Sequence, residues 1–240
     1  MNTAEPLYLL PVENQVREFD AKLLLACVAA RRGRSSVIGP RRELEFRIAS
    51  FPRSIFFSKD LRSGNGRFFR ISNKLGHMTV AWDEEALIHL RPDFYYRTRM
   101  ANRALKYVSH LFAWGGNNAD LWNQFSDLPA NINIHTTGNP RGDMLRSDLR
   151  LYHKARVEEL RKTYGDFILI NTNFSAVNAF TPIQNLFKPI KKTGEESQYG
   201  RGARGLSKDY IERANIHVNT IFSNFKQLIP RLDQAFTDIN

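Results

Sequence analysis

The sequence predicts an α/β protein built on a doubly wound, parallel, Rossmann-like sheet. The first observation is an apolar run at residues 7–10, followed by apolar residues at helical spacing over 19–30 and a second run at 36–40. A strand, a helix and a strand in this order form a βαβ unit, whose two strands are parallel. The second observation is that this alternation repeats over about 145 residues, enough for a complete doubly wound domain.

Each element carries its own local signal. Basic residues followed by Gly33 end the first helix, and Gly76 ends the third. Apolar runs bounded by polar or glycine-rich segments mark the strands. The predicted strands are 7–10, 36–40, 54–57, 77–82, 111–114 and 132–135, and the predicted helices are 19–30, 41–48, 65–75, 96–107 and 118–125.

The remaining pattern predicts three parts: a Rossmann-like domain at 1–148, a linker helix at 149–165, and the start of a second α/β domain at 166–240. Residues 167–172 predict a buried strand, and 208–228 predict an amphipathic helix. The expected buried face of that helix is Ile211, Ile216, Ile221, Phe222 and Phe225. One strand and one helix cannot bury a sheet, so we expect the chain to end inside an incomplete domain.

The composition describes a globular chain with a strong positive charge. Its 240 residues are 42% hydrophobic and 25% charged, with a net charge of +11. We find no apolar run long enough to span a membrane, no secretory signal, and one cysteine, Cys27, which together predict a cytoplasmic protein. Residues 31–70 contain eleven basic and three acidic side chains. Such a block is either a solvated surface or a surface for nucleic acid, anionic lipid or a phosphorylated substrate.

Ligands of parallel sheets bind beyond the carboxyl ends of the strands, which directs attention to three loops. In the first, Arg17 could hold a phosphate or carboxylate; the alternative is ordinary helix capping by Glu18 or Asp20. In the second, the adjacent acids Glu84 and Glu85 could supply a general base. The alternative there is charge that complements a helix N-terminus.

The third loop is the turn 137–143, in which Gly138 permits a tight backbone, Pro140 fixes it and Arg141 follows. The alternative is a proline-containing turn between domains. Glycines at 200–205 match a dinucleotide fingerprint without a preceding strand, which predicts a flexible basic loop. The histidines are scattered, so we expect no metal site, and His110 and His135 are interpreted as packing residues.

Five motifs occur in order along the chain: P-V-E-x-x-x-R-E-F-D-A-K-L-L-L at 11–25, D-E-E at 83–85, F-A-W-G at 112–115, T-G-N-P-R at 137–141 and I-N-T-N-F at 170–174. Together they resemble the bacterial surface carbohydrate (surface polysaccharide) biosynthesis proteins. These proteins are regarded as GT-B-like glycosyltransferases. The chain departs from the family at Ala86, where Gly is usual, and it ends before the family's R-P-H-P motif.

The resemblance implies transfer of a sugar from a nucleotide-activated donor to a glycan or lipid-linked acceptor. Glu84 or Glu85 would deprotonate or orient the acceptor hydroxyl, and the donor nucleotide would bind mainly in the second domain. The implied substrate-binding residues are Glu13, Arg17, Asp83, Gly138, Asn139, Arg141, Asn171 and Asn173. No cofactor is implied beyond the nucleotide sugar as substrate. We expect this chain alone to be inactive and to contact the anionic inner membrane face peripherally.

Two other functions stay open. One is a non-catalytic basic module that binds nucleic acid or another polyanion. Its aromatic residues Phe51, Phe56 and Phe57 fall on predicted buried strands, so nucleic acid is not the expected partner. The other is a nucleotide-sugar epimerase, a related group that also has a T-G-N turn.

Overall fold

The computed structural model describes residues 5–85, 87–88, 91–172, 174, 189–190, 198–199 and 208–237. The chain divides into two compact units, Met1–His153 and Lys154–Asn240. The first unit contains a six-stranded parallel sheet with the strand order β2-β1-β3-β4-β5-β6. Its helices pack on both faces, which confirms the predicted α/β, doubly wound fold class.

The strands of this sheet match the predicted ones to within a few residues. They are β1 (Leu7–Val12), β2 (Ser36–Pro40), β3 (Ser54–Ser58), β4 (Met78–Ala81), β5 (Val108–Ala113) and β6 (Asn133–Thr136). The helices of the unit are α1 (Gln15–Arg31), α2 (Arg41–Phe46), α3 (Gly66–Lys74), α4 (Pro92–Arg99), α5 (Asn102–Leu105), α6 (Gly116–Asn123) and α7 (Pro140–Asp143). Short 3-10 helices lie at Ile48–Ser50, Ser63–Asn65 and Ser147–His153.

The two faces of the sheet bury different amounts of apolar surface. The larger core joins the strands to helices α2, α3, α4, α5 and α6, and its Trp122 is fully buried. The smaller core joins Leu10, Phe57 and Trp82 to Leu25 of helix α1. Helix α1 therefore lies on the opposite face from these five helices, as expected when the chain reverses direction across the sheet.

Two predicted helices were wrong in their extent. Helix α1 begins at Gln15 rather than at residue 19, because the Asn14 side chain caps it by accepting a hydrogen bond from the Arg17 amide. Residues predicted as one helix over 96–107 form α4 and α5 instead. The break lies at Met100 and Ala101, where the backbone leaves the helical region and the Ala101 amide donates to the Leu61 carbonyl at 3.2 Å.

The second unit contains α8 (Lys154–Tyr164), the short antiparallel pair β7 (Pro189–Ile190) and β8 (Gln198–Tyr199), and α9 (Lys208–Ala235). The predicted buried strand at 167–172 is wrong: these residues lie outside the described strands, and Leu169 is 70% exposed. Helix α9 extends beyond the predicted end. Two residues of its predicted buried face, Ile216 and Ile221, are exposed. The rings of Phe222 and Phe225 contact Phe174. The Ile211 side chain lies outside the described part.

No helix in the described ranges is long and apolar enough to cross a membrane.

At the start of α3, the backbone of Arg103 approaches Gly66 so closely that the position has no room for a side chain. A methyl group on Gly66 would lie 2.7 Å from the carbonyl oxygen of Arg103. We predict that Gly66→Ala lowers the free energy of unfolding by about 1–3 kcal/mol, because the backbone must move to make room. Gly64→Ala is the matched control, since its methyl group meets open space. Equal denaturant midpoints for the two variants would contradict this packing.

Candidate functional site

Charged side chains converge at the carboxyl ends of strands β1, β3 and β4. The register places Ser58 beside Ala81, and the next residues continue the pairing: the Trp82 amide donates to the Ser58 carbonyl and the Glu84 amide to the Lys59 carbonyl. These hydrogen bonds carry the acidic loop 83–85 alongside the end of β3. The first turns of α1 lie at the same edge and contribute Arg17, Glu18 and Lys22, which contact the strand-end residues.

A buried ion pair holds α1 to the acidic loop. Lys22 and Glu84 are 1% and 5% exposed, and Lys22 Nζ donates to Glu84 Oε1. Trp82 Nε1 donates to the same oxygen at 2.7 Å, and its ring lies 4.3 Å from Lys22 Nζ. Burial lowers the pKa of Lys22, and the negative charge of Glu84 opposes that shift. Because protein groups enclose the Glu84 carboxylate, its geometry favours a structural role over that of a base.

A second cluster links β1, α1 and the end of β3. The Glu18 carboxylate is buried and accepts hydrogen bonds from the Glu13 amide at 2.7 Å and from Lys59 Nζ at 3.1 Å. Lys59 also pairs with the Glu13 carboxylate. Burial acts to raise the pKa of Glu18, but these donors together lower it. Glu13, predicted to bind substrate, is thus engaged with Lys59, whose hydrogen bond lowers its pKa.

Asp83 is turned inward by three donors. Its carboxylate accepts hydrogen bonds from the Glu85 amide at 3.1 Å, the Tyr95 hydroxyl at 3.2 Å and Arg99 Nη1 at 3.3 Å. Its carbonyl accepts from Trp114 Nε1 at 2.7 Å. Burial raises the pKa of Asp83, and the positive charge of Arg99 opposes the shift. Asp83 therefore anchors the loop to α4 and to the end of β5.

Glu85 is the member of the acidic loop that faces outward, with a side chain 37% exposed. Three guanidinium groups approach its carboxylate: Arg99 at 3.0 Å, Arg62 at 3.1 Å and Arg17 at 3.6 Å. Partial burial acts to raise the pKa of Glu85, but the hydrogen bond and charge of Arg99, with the charges of Arg62 and Lys59, lower it. Glu85 is the more accessible of the two predicted bases, and in this arrangement it is a weak one.

The turn after β6 reaches the same loop. Gly138 has a φ of 79°, and its amide donates to the Ala113 carbonyl at 3.1 Å. Asn139 is buried and caps α7 by accepting from the Arg141 amide at 3.0 Å. Arg141 Nη1 then donates to the Glu84 carbonyl at 3.0 Å. The structure thus brings Arg141 against the acidic loop, as expected for residues that follow strands of one parallel sheet.

Two predicted site residues, Asn171 and Asn173, belong to the second unit. Asn171 is exposed. Asn173 lies outside the described residues, as do Ala86 and the glycine-rich loop at 200–205.

Sequence reasoning did not assign a site role to four cations of the cluster: Lys22, Lys59, Arg62 and Arg99. Lys59 directly follows β3, so the strand-end rule applied to that strand would have found it. Lys22 carried a weaker signal, since it is the single charge within the otherwise apolar segment 21–30. Arg62 and Arg99 contact Glu85 through tertiary contacts that no local sequence pattern predicts.

The histidines are less scattered than the sequence suggested. His110 Nδ1 and His135 Nε2 lie 3.0 Å apart on the neighbouring strands β5 and β6. Within the part of the chain that the structure describes, no group of three or more His, Cys, Asp or Glu side chains is placed to hold a metal ion.

Comparisons with protein-family models, curated proteins and solved structures find no match to this chain. The family resemblance drawn from the five motifs therefore stays a prediction.

The buried Lys22–Glu84 pair predicts an unusually large stability loss. We expect Lys22→Met to lower the free energy of unfolding by about 3–5 kcal/mol, because Glu84 becomes a buried, unpaired charge. The double variant Lys22→Met/Glu84→Leu should recover part of the loss, because the unpaired charge is gone although Trp82 Nε1 loses its acceptor. Arg47→Met, which breaks the exposed pair with Glu43, is the control and should cost less than about 1 kcal/mol. A Lys22→Met loss no larger than that of the control would contradict the assignment.

The lowered pKa values of Glu13 and Glu18 predict a specific acid sensitivity. A folded-state pKa below the ordinary 4.5 means that the carboxylate stabilises the fold above about pH 4.5 and that this stabilisation is lost as pH falls through the folded-state value. We expect thermal stability to fall as pH drops below about 4.5 and to fall less steeply in Lys59→Met. Parallel pH profiles for the two proteins would show that Lys59 is not the cause.

Proposed function

We propose that this protein is a glycosyltransferase of cell-surface polysaccharide biosynthesis, which transfers a sugar from a nucleotide-activated donor to a glycan or lipid-linked acceptor. One observation carries the proposal: four of the five motifs that resemble that family meet at one edge of the sheet. Lys22 of the first motif pairs with Glu84 of the second, Trp114 of the third donates to the Asp83 carbonyl, and Arg141 of the fourth donates to the Glu84 carbonyl. Residues so far apart in sequence are expected to meet where a parallel sheet binds its ligand.

The chemistry of the edge suits sugar transfer. Departure of a nucleoside diphosphate leaves negative charge, which preorganised positive groups stabilise. Arg17 is the one of the two predicted cations whose guanidinium approaches the exposed Glu85 carboxylate. Arg141 contacts backbone instead, so we assign it to positioning the acidic loop.

Glu85 is the residue that we assign to the acceptor hydroxyl. Glu84 is enclosed by Lys22 and Trp82, whereas Glu85 is partly exposed beside three arginines. An oriented carboxylate accepts the hydroxyl proton as the sugar bond forms. Glu85 would hold the hydroxyl in place, and Asp83 and Glu84 would hold the loop.

The polyanion-binding alternative receives less support. Phe56 and Phe57 of the basic region are 1% and 8% exposed, so these rings are unavailable for stacking on bases. The basic residues of 31–70 fit better, within this proposal, with peripheral contact to an anionic membrane that presents a lipid-linked acceptor.

The test is sugar transfer by the full-length protein, with a panel of nucleotide sugars and with glycan and lipid diphosphate acceptors. We expect transfer from one donor class and a loss of about 100-fold in kcat for Glu85→Gln, because that substitution removes the proton acceptor. Glu43→Gln makes the same charge change at an exposed position paired with Arg47 and should keep full turnover.

Two results would contradict different parts of the proposal, the assigned base and the function. Unchanged turnover in Glu85→Gln would remove the assigned base while leaving sugar transfer intact. Absence of transfer from every donor in the panel would overturn the function itself.

A further inference from the structure

Three arginines surround a single exposed carboxylate at the candidate site. The guanidinium groups of Arg17, Arg62 and Arg99 lie 3.6, 3.1 and 3.0 Å from the oxygens of Glu85. They come from three separate elements: α1, the loop after β3 and the end of α4. In an ordinary surface ion pair a carboxylate has one cationic partner, whereas Glu85 has three.

The three arginines differ in how many carboxylate partners each has. Arg17 also contacts the buried Glu18, and Arg99 also contacts the buried Asp83, so those two cations have second partners. Arg62 has Glu85 as its carboxylate partner among the described residues. A carboxylate brings one negative charge and two oxygens to three guanidinium groups, each a planar fork of donors. The donors outnumber the acceptors that Glu85 supplies.

A phosphate group satisfies these arginines better than a carboxylate does. It carries close to two negative charges and three terminal oxygens, and arginine binds phosphate oxygens through paired hydrogen bonds. The site is reachable, because the side chains of Arg17 and Arg62 are 43% and 52% exposed. Arg99 is only 21% exposed, so its guanidinium is held more firmly in place.

We propose that Arg17, Arg62 and Arg99 form a binding site for a phosphate or diphosphate group, and that the Glu85 carboxylate occupies this site until such a ligand displaces it. The inference rests on the proposed function only where it assigns this phosphate to a substrate of sugar transfer. Anion binding itself can be tested without sugar transfer. No covalent step is involved: the incoming phosphate takes over the hydrogen bonds of the arginines, and the Glu85 side chain moves towards solvent.

Displacement has a consequence for Glu85 itself. Partial burial acts to raise the pKa of its carboxyl group, and Arg99, Arg62 and Lys59 together lower it, Arg99 most strongly. Once a phosphate neutralises Arg99 and Arg62, the carboxyl becomes a better proton acceptor. Binding of the phosphate-bearing substrate would thus prepare Glu85 for the acceptor hydroxyl, which couples the two substrates of the proposed reaction.

Calorimetric titration with inorganic pyrophosphate tests the site directly. We expect one binding site on the wild-type chain. The pyrophosphate affinity should be at least about fivefold higher in Glu85→Gln, because the competing carboxylate is gone. Glu43→Gln removes the same charge at a distant exposed pair and should bind as the wild type does. Arg62→Gln should bind at least about fivefold more weakly, whereas Arg47→Gln should not.

The source of the phosphate is distinguished by two further titrations. A site for the donor binds UDP and is indifferent to vesicles, whereas a site for a lipid-linked group binds vesicles containing phosphatidic acid more tightly in Glu85→Gln. Thermal unfolding of each variant with and without pyrophosphate confirms that the folded form is the one that binds.

Two outcomes would overturn the inference. One is equal pyrophosphate affinity in Glu85→Gln and Glu43→Gln. The other is unchanged affinity in Arg62→Gln, which would show that the anion binds elsewhere on this basic chain. Sugar transfer that persists despite either result would leave the proposed function standing.

Discussion

The arrangement of the candidate site depends on the buried ion pair between Lys22 and Glu84. Burying two charges costs several kcal/mol per ion unless each finds a partner with good geometry, so the pair fixes α1 against the loop that follows β4. Trp82 and Arg141 add hydrogen bonds to the side chain and carbonyl of the same glutamate. Because these three residues hold Glu84, the residues on either side of it have little freedom.

This constraint sorts three consecutive acids into different roles. Asp83 points to Tyr95 and Arg99, Glu84 points to Lys22, and Glu85 is left at the surface among three arginines. The inward acids stabilise the loop, and the outward acid is the one that a ligand can reach. Opposite pKa shifts accompany this division, since that of Asp83 is raised and that of Glu85 is lowered. One acidic loop thus provides both an anchor and an exchangeable anion.

Much of the fold and part of the site could be predicted from the sequence. The alternation of apolar runs predicts all six strands, and the strand-end rule brings Arg17, the acidic loop and Arg141 to one edge. The choice between Glu84 and Glu85 could not be made, because it depends on Lys22, which lies 62 positions away. The helix break at Met100 could not be predicted for a related reason, because tertiary contacts override local propensity. Residues 167–172 have the apolar pattern of a strand, but they pair with no strand among the described residues and are exposed.

Ligand phosphate and the Glu85 carboxylate, in this proposal, compete for the same three arginines. A pyrophosphate titration of isotope-labelled protein, followed by NMR at the arginine Nε–H groups and at the glutamate carboxyl carbons, observes this competition itself. We predict that the largest shifts occur at Arg17, Arg62 and Arg99, and that the Glu85 carboxyl signal moves towards the value of a solvent-exposed carboxylate. Shifts confined to other arginines, with the Glu85 signal unmoved, would contradict it.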